Sequence, residues 1–293
     1  MGIGAVAHDF IGRPAGTVLV SDSHAFPGHA RTDSDSTGRH PSTRRRFWRT
    51  LMRSPPYTTN MDASFDFTGD VALVTGACGA LGSAVATAFA DAGATVCGTD
   101  IVSPDDEDAQ VDPAVIDYYR GDFTDETDVE RVVDAVVDDH GRLDALVNVA
   151  GTWRGGDPIH ETDADLFDFL FDVNLKTMFL ASKHALPHLQ ETEGAVVSVS
   201  AQSSLEGGEG DGVYRASKAG VRLLTETIAA ENLGTVRANA VMPSVIDTPM
   251  NREMMSYDES WVDPADIAAV VLFLCSDAAT VTSGAAVPVY GEA

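Results

Sequence analysis

The chain has 293 residues, 44% of them hydrophobic, and sets 45 acidic against 19 basic side chains for a formal net charge of −26. That is enough apolar material for one substantial core, yet no uninterrupted apolar run approaches the roughly eighteen residues of a membrane span. So negative a field opposes binding to nucleic acid or to an anionic membrane, and three scattered cysteines (Cys78, Cys97, Cys275) make neither a CxxC pair nor a zinc set.

The charge is uneven. Residues 1–60 hold eight arginines and four aspartates, a net of +4, which leaves −30 on residues 61–293. Lysine occurs only at Lys176, Lys183 and Lys218. At molar salt the Debye length shrinks to about 3 Å, so self-repulsion fades while solubility remains. The charge pattern therefore points to a saline, reducing cytoplasm.

Residues 1–60 are rich in Ser, Thr, Arg, Gly and Pro and show no sustained period, so a disordered N-terminal extension without a function of its own is expected. Thr43–Arg49 resembles a twin-arginine export signal, but Leu51–Pro56 supplies no apolar segment after it. Met61, just ahead of the first strand, leaves an upstream start as the alternative origin of this arm.

From residue 70 the pattern turns regular. Strand-length apolar runs fall at Val71–Thr75, Thr95–Thr99, Val115–Tyr119, Leu143–Val149, Ala195–Val199, Val236–Val241 and Ala286–Val289. Helical stretches lie at Ala80–Asp91, Asp125–His140, Asp163–His188, Gly212–Asn232 and Pro264–Ser276, the last announced by Asp263 as N-cap and Pro264 at the first helical position. Continuously apolar strands alternating with amphipathic helices predict an α/β fold: a Rossmann-type, doubly wound, seven-stranded parallel sheet in three α/β/α layers, one domain over residues 61–293. Ligands on such sheets bind beyond the carboxyl ends of the strands.

The first strand runs into Thr75-Gly76-Ala77-Cys78-Gly79-Ala80-Leu81-Gly82 and then a helix. Glycines at that turn let backbone approach a pyrophosphate, and the helix N-terminus attracts it. Asp100 ends the second strand, where a carboxylate accepts hydrogen bonds from the adenosine ribose and repels a 2′-phosphate, so NAD is favoured over NADP. Tyr214 and Lys218 lie four apart on one helix face. A nearby ammonium is expected to lower the phenol's pKa from about 10 and suit it to proton transfer. His184 and His188 share a helical face but have no acidic third ligand at suitable spacing, so no metal is expected.

Taken together, residues 66–290 resemble the short-chain dehydrogenase/reductase family. The resemblance rests on Thr75-Gly76…Gly82, Asp100, Asp122, Asn148-Val149-Ala150-Gly151, Asn174, Tyr214-Arg215-Ala216-Ser217-Lys218 and Pro243–Thr248. It implies a cytoplasmic oxidoreductase that moves hydride between nicotinamide and a small carbonyl, alcohol or quinonoid substrate, working as a homodimer or homotetramer. Tyr214 would be the general acid/base, Lys218 would bind the nicotinamide ribose, and Asn174 would hold a water in the proton relay. Gly76, Gly79, Ala80, Leu81, Gly82, Asp100, Ile101, Asp122, Phe123, Asn148, Ala150, Gly151, Ile246 and Thr248 would line the cofactor.

Three positions depart from the family pattern. Ala80 replaces the middle phosphate-loop glycine, and Ser244 stands where a glycine normally follows the proline. The substrate-orienting serine, thirteen positions before the tyrosine, is Ala201; a one-residue bulge would be needed to bring Ser200 into its place, with Ser203 and Ser204 following in the loop. The loop Pro243–Trp261, with Asp247–Arg252 and Trp261, resembles the dihydropteridine-reductase branch, which also tolerates alanine in place of the serine. The rival reading is a protein that binds NAD and controls a partner without chemistry, for which Ala201 is the sole support.

Overall fold

The computed structural model describes residues 64–291, and the N-terminal arm lies outside the described residues. Seven strands form one parallel sheet: β1 (Val71–Thr75), β2 (Thr95–Asp100), β3 (Asp117–Arg120), β4 (Ala145–Asn148), β5 (Ala195–Val199), β6 (Arg237–Pro243) and β7 (Ala286–Val289). Their order is β3-β2-β1-β4-β5-β6-β7. The helices are α1 (Ala80–Asp91), α2 (Glu126–His140), α3 (Ala164–Phe171), α4 (Thr177–Thr192), α5 (Gly212–Glu231), α6 (Pro249–Met254) and α7 (Pro264–Cys275).

Side chains alternate across a strand, so one apolar sequence serves two cores. Ala72 and Val74 of β1 pack with Val85 and Phe89 of α1 and Ile267 and Val271 of α7. Val71 and Leu73 face the other way, onto Val132 and Val136 of α2, Ala181 and Ala185 of α4, and Val221 of α5. Both edges are kept short. β3 exposes Asp117 and Arg120, and β7 carries Pro288, which removes a donor from that rim.

Three local expectations are corrected. The third strand begins at Asp117 rather than Val115, because Val115 is tied in a turn to the Asp112 carbonyl and Ile116 dips into the core. The helix expected over Asp163–His188 is two α-helices joined by a π-helical turn, Asp172–Lys176, and α4 continues to Thr192. The short helix α6 had no period long enough to reveal it. By contrast, Asp263 caps α7 as expected, accepting from Ala265 N at 2.8 Å.

Strand order reverses between β1 and β4, whose crossovers leave to opposite sides of the sheet. That reversal opens a crevice beyond their carboxyl ends, and the site lies there.

Candidate active site

A cleft of about 890 Å³ runs across the strand tips, from Asp100 and Asp122 at one end to Tyr214 and the loop after β6 at the other. Gly76, Gly79, Ala80, Leu81, Gly82, Ile101, Phe123, Ala150, Gly151, Lys218, Ile246 and Thr248 all line it.

The turn after β1 is built for close approach. Gly76 sits at φ +65°, where a Cβ would lie 2.9 Å from Ala150 Cα; one on Gly82 would meet the Gly76 carbonyl oxygen at 2.0 Å. Gly79 has φ −78°, a Cβ there would make only an ordinary 3.6 Å contact with the Gly76 carbonyl oxygen, and Ala80 is already helical, so the alanine in place of the family's middle glycine meets no backbone strain. Helix α1 has no side-chain cap and no acid in its first turn, whereas α2 and α7 are capped by aspartates and carry further acids there. An uncapped N-terminus with free N–H groups on a cleft suits an anion, and these residues fit a dinucleotide pyrophosphate.

At the far end of that turn Asp100 accepts from Cys78 N at 3.0 Å and Val102 N at 3.1 Å, which fixes its carboxylate at the tip of β2. Asp122 uses one oxygen to cap Thr124 and leaves the other free. Thr75, part of the Thr75–Gly82 motif but assigned no role from the sequence, accepts from Val149 N and Ala150 N at 3.1 Å each and so locks the two glycine-bearing loops together. A hydroxyl at a strand tip was the available signal.

Asn148 does not reach the cleft. Its side chain is buried beneath β4 and β5, donating to Ser198 Oγ at 3.2 Å and Ser182 Oγ at 3.4 Å. Its place in the sequence motif reflects sheet-to-helix packing, since strand alternation turns it inward while Val149 and Ala150 follow onto the surface.

Asn174 lies in the π-helical turn, a geometry that recurs at functional sites. Its Oδ1 accepts from Thr152 N at 2.8 Å, and its Nδ2 donates to Thr152 O at 3.0 Å and to Ser217 Oγ at 3.1 Å. Lys218 Nζ donates to the Val199 carbonyl at 3.0 Å. A Cβ on Gly151 would lie 2.8 Å from both Asn174 Oδ1 and Lys218 Nζ, so the bare glycine is what lets these groups converge.

Burial decides the titration of the pair on α5. Lys218 is pulled down to about 8 by desolvation alone. Tyr214 is pushed up to about 12, first by burial and then by the Asp211 charge, with Arg215 opposing. The phenol is therefore shifted up rather than down: burial and Asp211 act on it, and Lys218 is not among the groups that shift it.

Ser200 lines the cleft, but the structure engages its hydroxyl elsewhere. β5 pairs with β6 in register without a bulge, and Ser200 N continues the ladder to Val241 O at 2.9 Å. The Ser200 hydroxyl faces α5, donating to the Lys218 carbonyl at 2.8 Å and to Ser204 Oγ at 3.2 Å. It braces the helix that carries Tyr214. At position 201 the cleft wall is a methyl group, and the neighbouring polar residues that line the cleft are Ser200, Gln202 and Ser203.

A parallel sheet with an anion-binding glycine turn, and a tyrosine–lysine pair at the opposite end of the cleft, defines a nucleotide-dependent oxidoreductase of Rossmann type. Residues 76–291 match the family described as Enoyl-(Acyl carrier protein) reductase. The chain is 34% identical to 3-oxoacyl-[acyl-carrier-protein] reductase FabG of Thermotoga maritima, over 76% of this chain and 97% of that protein. It is 32% identical to 2-(R)-hydroxypropyl-CoM dehydrogenase of Xanthobacter autotrophicus, over 75% and 97%. The ligand-free structure of Thermoplasma acidophilum aldohexose dehydrogenase superposes with a TM-score of 0.70 at 28% identity, covering 78% of this chain and 95% of that one. The chain belongs to the short-chain dehydrogenase/reductase family and is an oxidoreductase.

Proposed function

We propose that the chain is an NAD(H)-dependent dehydrogenase/reductase that moves hydride between nicotinamide and the carbonyl or alcohol carbon of a small molecule. The observation that carries this reading is the placement of Tyr214 and Lys218 on the same cleft as the uncapped N-terminus of α1. Bound nicotinamide supplies the hydride; the chain supplies geometry and proton handling. Gly76–Gly82 hold the pyrophosphate, Lys218 and Thr248 the nicotinamide half, and Asp122, Phe123 and Ile101 the adenine. Tyr214, protonated throughout the neutral range, gives its proton to the substrate oxygen as negative charge grows there. In the reverse direction it takes that proton back, with Asn174 and Lys218 completing the relay.

NAD is preferred because the fixed Asp100 carboxylate would face a 2′-phosphate, and Asp108, at the same end of the cleft, adds to the repulsion. Calorimetric titration tests this: NADH should bind at least tenfold more tightly than NADPH, and equal affinities would remove Asp100 from its role. For the reaction itself, Tyr214→Phe should abolish NADH consumption while leaving NADH affinity within twofold.

A quinonoid substrate of the dihydropteridine kind is the second reading, favoured by Ala201, since such a ring needs little stabilisation of an oxyanion. Of the loop behind that resemblance, Thr248, Met250 and Asn251 line the cleft, while Asp247, Arg252 and Trp261 brace the loop. We further read the −30 domain as adapted to molar salt. Exposed Phe167 and Phe179, with Leu223 on α5, provide the apolar helix faces on which a dimer or tetramer would form.

A further inference from the structure

Beside polar groups such as Gln202, Ser203 and Asp211, the cleft is lined by several exposed apolar side chains. Helix α6 buries none of its own residues, yet Met250 is 60% exposed and Met254 49%, and both line the cleft with the neighbouring Met255. Trp153, on the loop after β4, and Val245, on the loop after β6, line the same cleft.

Without a buried face, α6 is held by its ends. Thr248 Oγ1 caps Asn251 N at 3.2 Å, and Asn251 Nδ2 donates to the Ile246 carbonyl at 2.8 Å. Arg252 makes a two-pronged pair with Asp247, one prong at 2.6 Å, while its guanidinium lies 4.7 Å from the centre of the Tyr257 ring. The methionines are therefore presented, pre-positioned, to whatever occupies the cleft. Exposed apolar surface of this kind, rimmed by polar groups, marks a ligand site.

Charge narrows the occupant. Among the described residues, the cationic side chains lining the cleft are Arg215 and Lys218. Arg215 Nε is held by Asp211 at 2.6 Å, and its Nη1 points at the Glu206 carbonyl at 3.3 Å. Lys218 is committed to Val199 O and, on the reading above, to the cofactor. A phosphate on the substrate would find no free cation, and Asp211 stands nearby.

Resting on the hydride-transfer reading, we infer that the substrate is an uncharged ketone or secondary alcohol whose bulky apolar ring or branched chain lies against Met250, Met254, Met255, Trp153 and Val245. Flexible thioether chains follow irregular shapes, so several ring sizes should be accepted. The step balances as a two-electron reduction. Hydride from NADH forms the new C–H bond, the carbonyl π pair moves to oxygen, and the Tyr214 proton completes the alcohol with NAD⁺ released.

The test is NADH consumption in molar KCl with 4-tert-butylcyclohexanone, acetoacetyl-CoA and quinonoid dihydropterin offered separately. The cyclohexanone should show a kcat/KM at least tenfold above the other two. Met254→Glu and Met250→Lys should each raise its KM at least tenfold while the Kd for NADH, read by fluorescence, stays within twofold. Preference for the CoA thioester or the pterin, or an unchanged KM in both variants, overturns the substrate class while hydride transfer stands. Saturable NADH binding with no turnover of any of the three overturns hydride transfer, and this inference with it.

Discussion

Restoring a hydroxyl at position 201 should make this protein a faster ketone reductase. Ala201 has extended backbone (φ −159°, ψ 153°), is 7% exposed and lines the cleft, so Ala201→Ser adds one oxygen without moving the chain. A single pre-positioned donor to a developing oxyanion is worth about 10²- to 10³-fold in kcat. Part of that is lost here. Residue 201 is the N-cap of the short turn Gln202–Leu205, and a serine hydroxyl in that position is drawn toward the turn's free amides. The expected gain is therefore about 10- to 100-fold, or roughly 1.4–2.7 kcal/mol of barrier. It should appear in kcat rather than KM, because the new bond strengthens only as charge reaches the oxygen. The assay is the initial rate of NADH oxidation against a ketone that the wild type already reduces, alongside a thermal melt. An unchanged or lower kcat with an unchanged melting temperature would refute the idea that the cleft wants a donor there, and would favour a substrate that needs none.

Gly151→Ala should weaken NADH binding and turnover at least tenfold with the fold intact by circular dichroism, because its Cβ would meet Lys218 Nζ and Asn174 Oδ1 at 2.8 Å; wild-type kinetics would contradict the convergence of those groups. Ser244→Ala should leave the melting temperature unchanged or raise it, since Ser244 Oγ is buried without a partner and such an orphan costs about 1–3 kcal/mol; a fall would mean that the hydroxyl is bonded. Unfolding free energy should rise as pH goes from about 8 to the ordinary lysine range, because Lys218 binds its proton less tightly folded than unfolded. Lys218→Met should flatten that rise, and an identical slope in the variant would count against the buried ammonium. NADH affinity should hold or increase between 0.1 M and 2 M KCl, and a steep loss with salt would show that net attraction dominates binding.

The fold was legible because parallel strands buried on both faces must be continuously apolar, and Val71–Thr75, Ala195–Val199 and Val236–Val241 are. The start of the third strand was not, since Asp117–Arg120 forms an exposed edge of polar composition while the apolar Val115 and Ile116 ahead of it pack on the core. That Gly76, Gly82, Asp100, Tyr214 and Lys218 line one cleft was readable from spacing, because backbone clearance and helical register are local properties. Asn148 misled, as a motif gives a residue's neighbourhood but not the face it takes on a strand one residue before the chain leaves the sheet. The π-helical turn at Asn174 leaves no periodic trace. Met250 and Met254 did have one, a spacing of four, but α6 is too short to bury a face and so too short to register as amphipathic.

An anionic cofactor binding to a domain of formal charge −30 is a contest between distance scales. The attraction is local: the amides at the start of α1, with no acid in that first turn, together with Lys218. A helix N-terminus acts within about one turn. The repulsion is the sum of many surface carboxylates spread over the domain, most of them farther from the pyrophosphate than the Debye length of about 10 Å at 0.1 M salt. Raising salt to the molar range cuts that length to about 3 Å, which removes the distant repulsion before it reaches contacts made at hydrogen-bond distance. Proteins that gather anions with a basic surface lose affinity as salt rises, because their attraction is the long-range part. Here the signs are exchanged. Keeping α1 free of acids while Asp125 and Asp263 cap α2 and α7 is what allows the rest of the surface to be so negative without losing the cofactor.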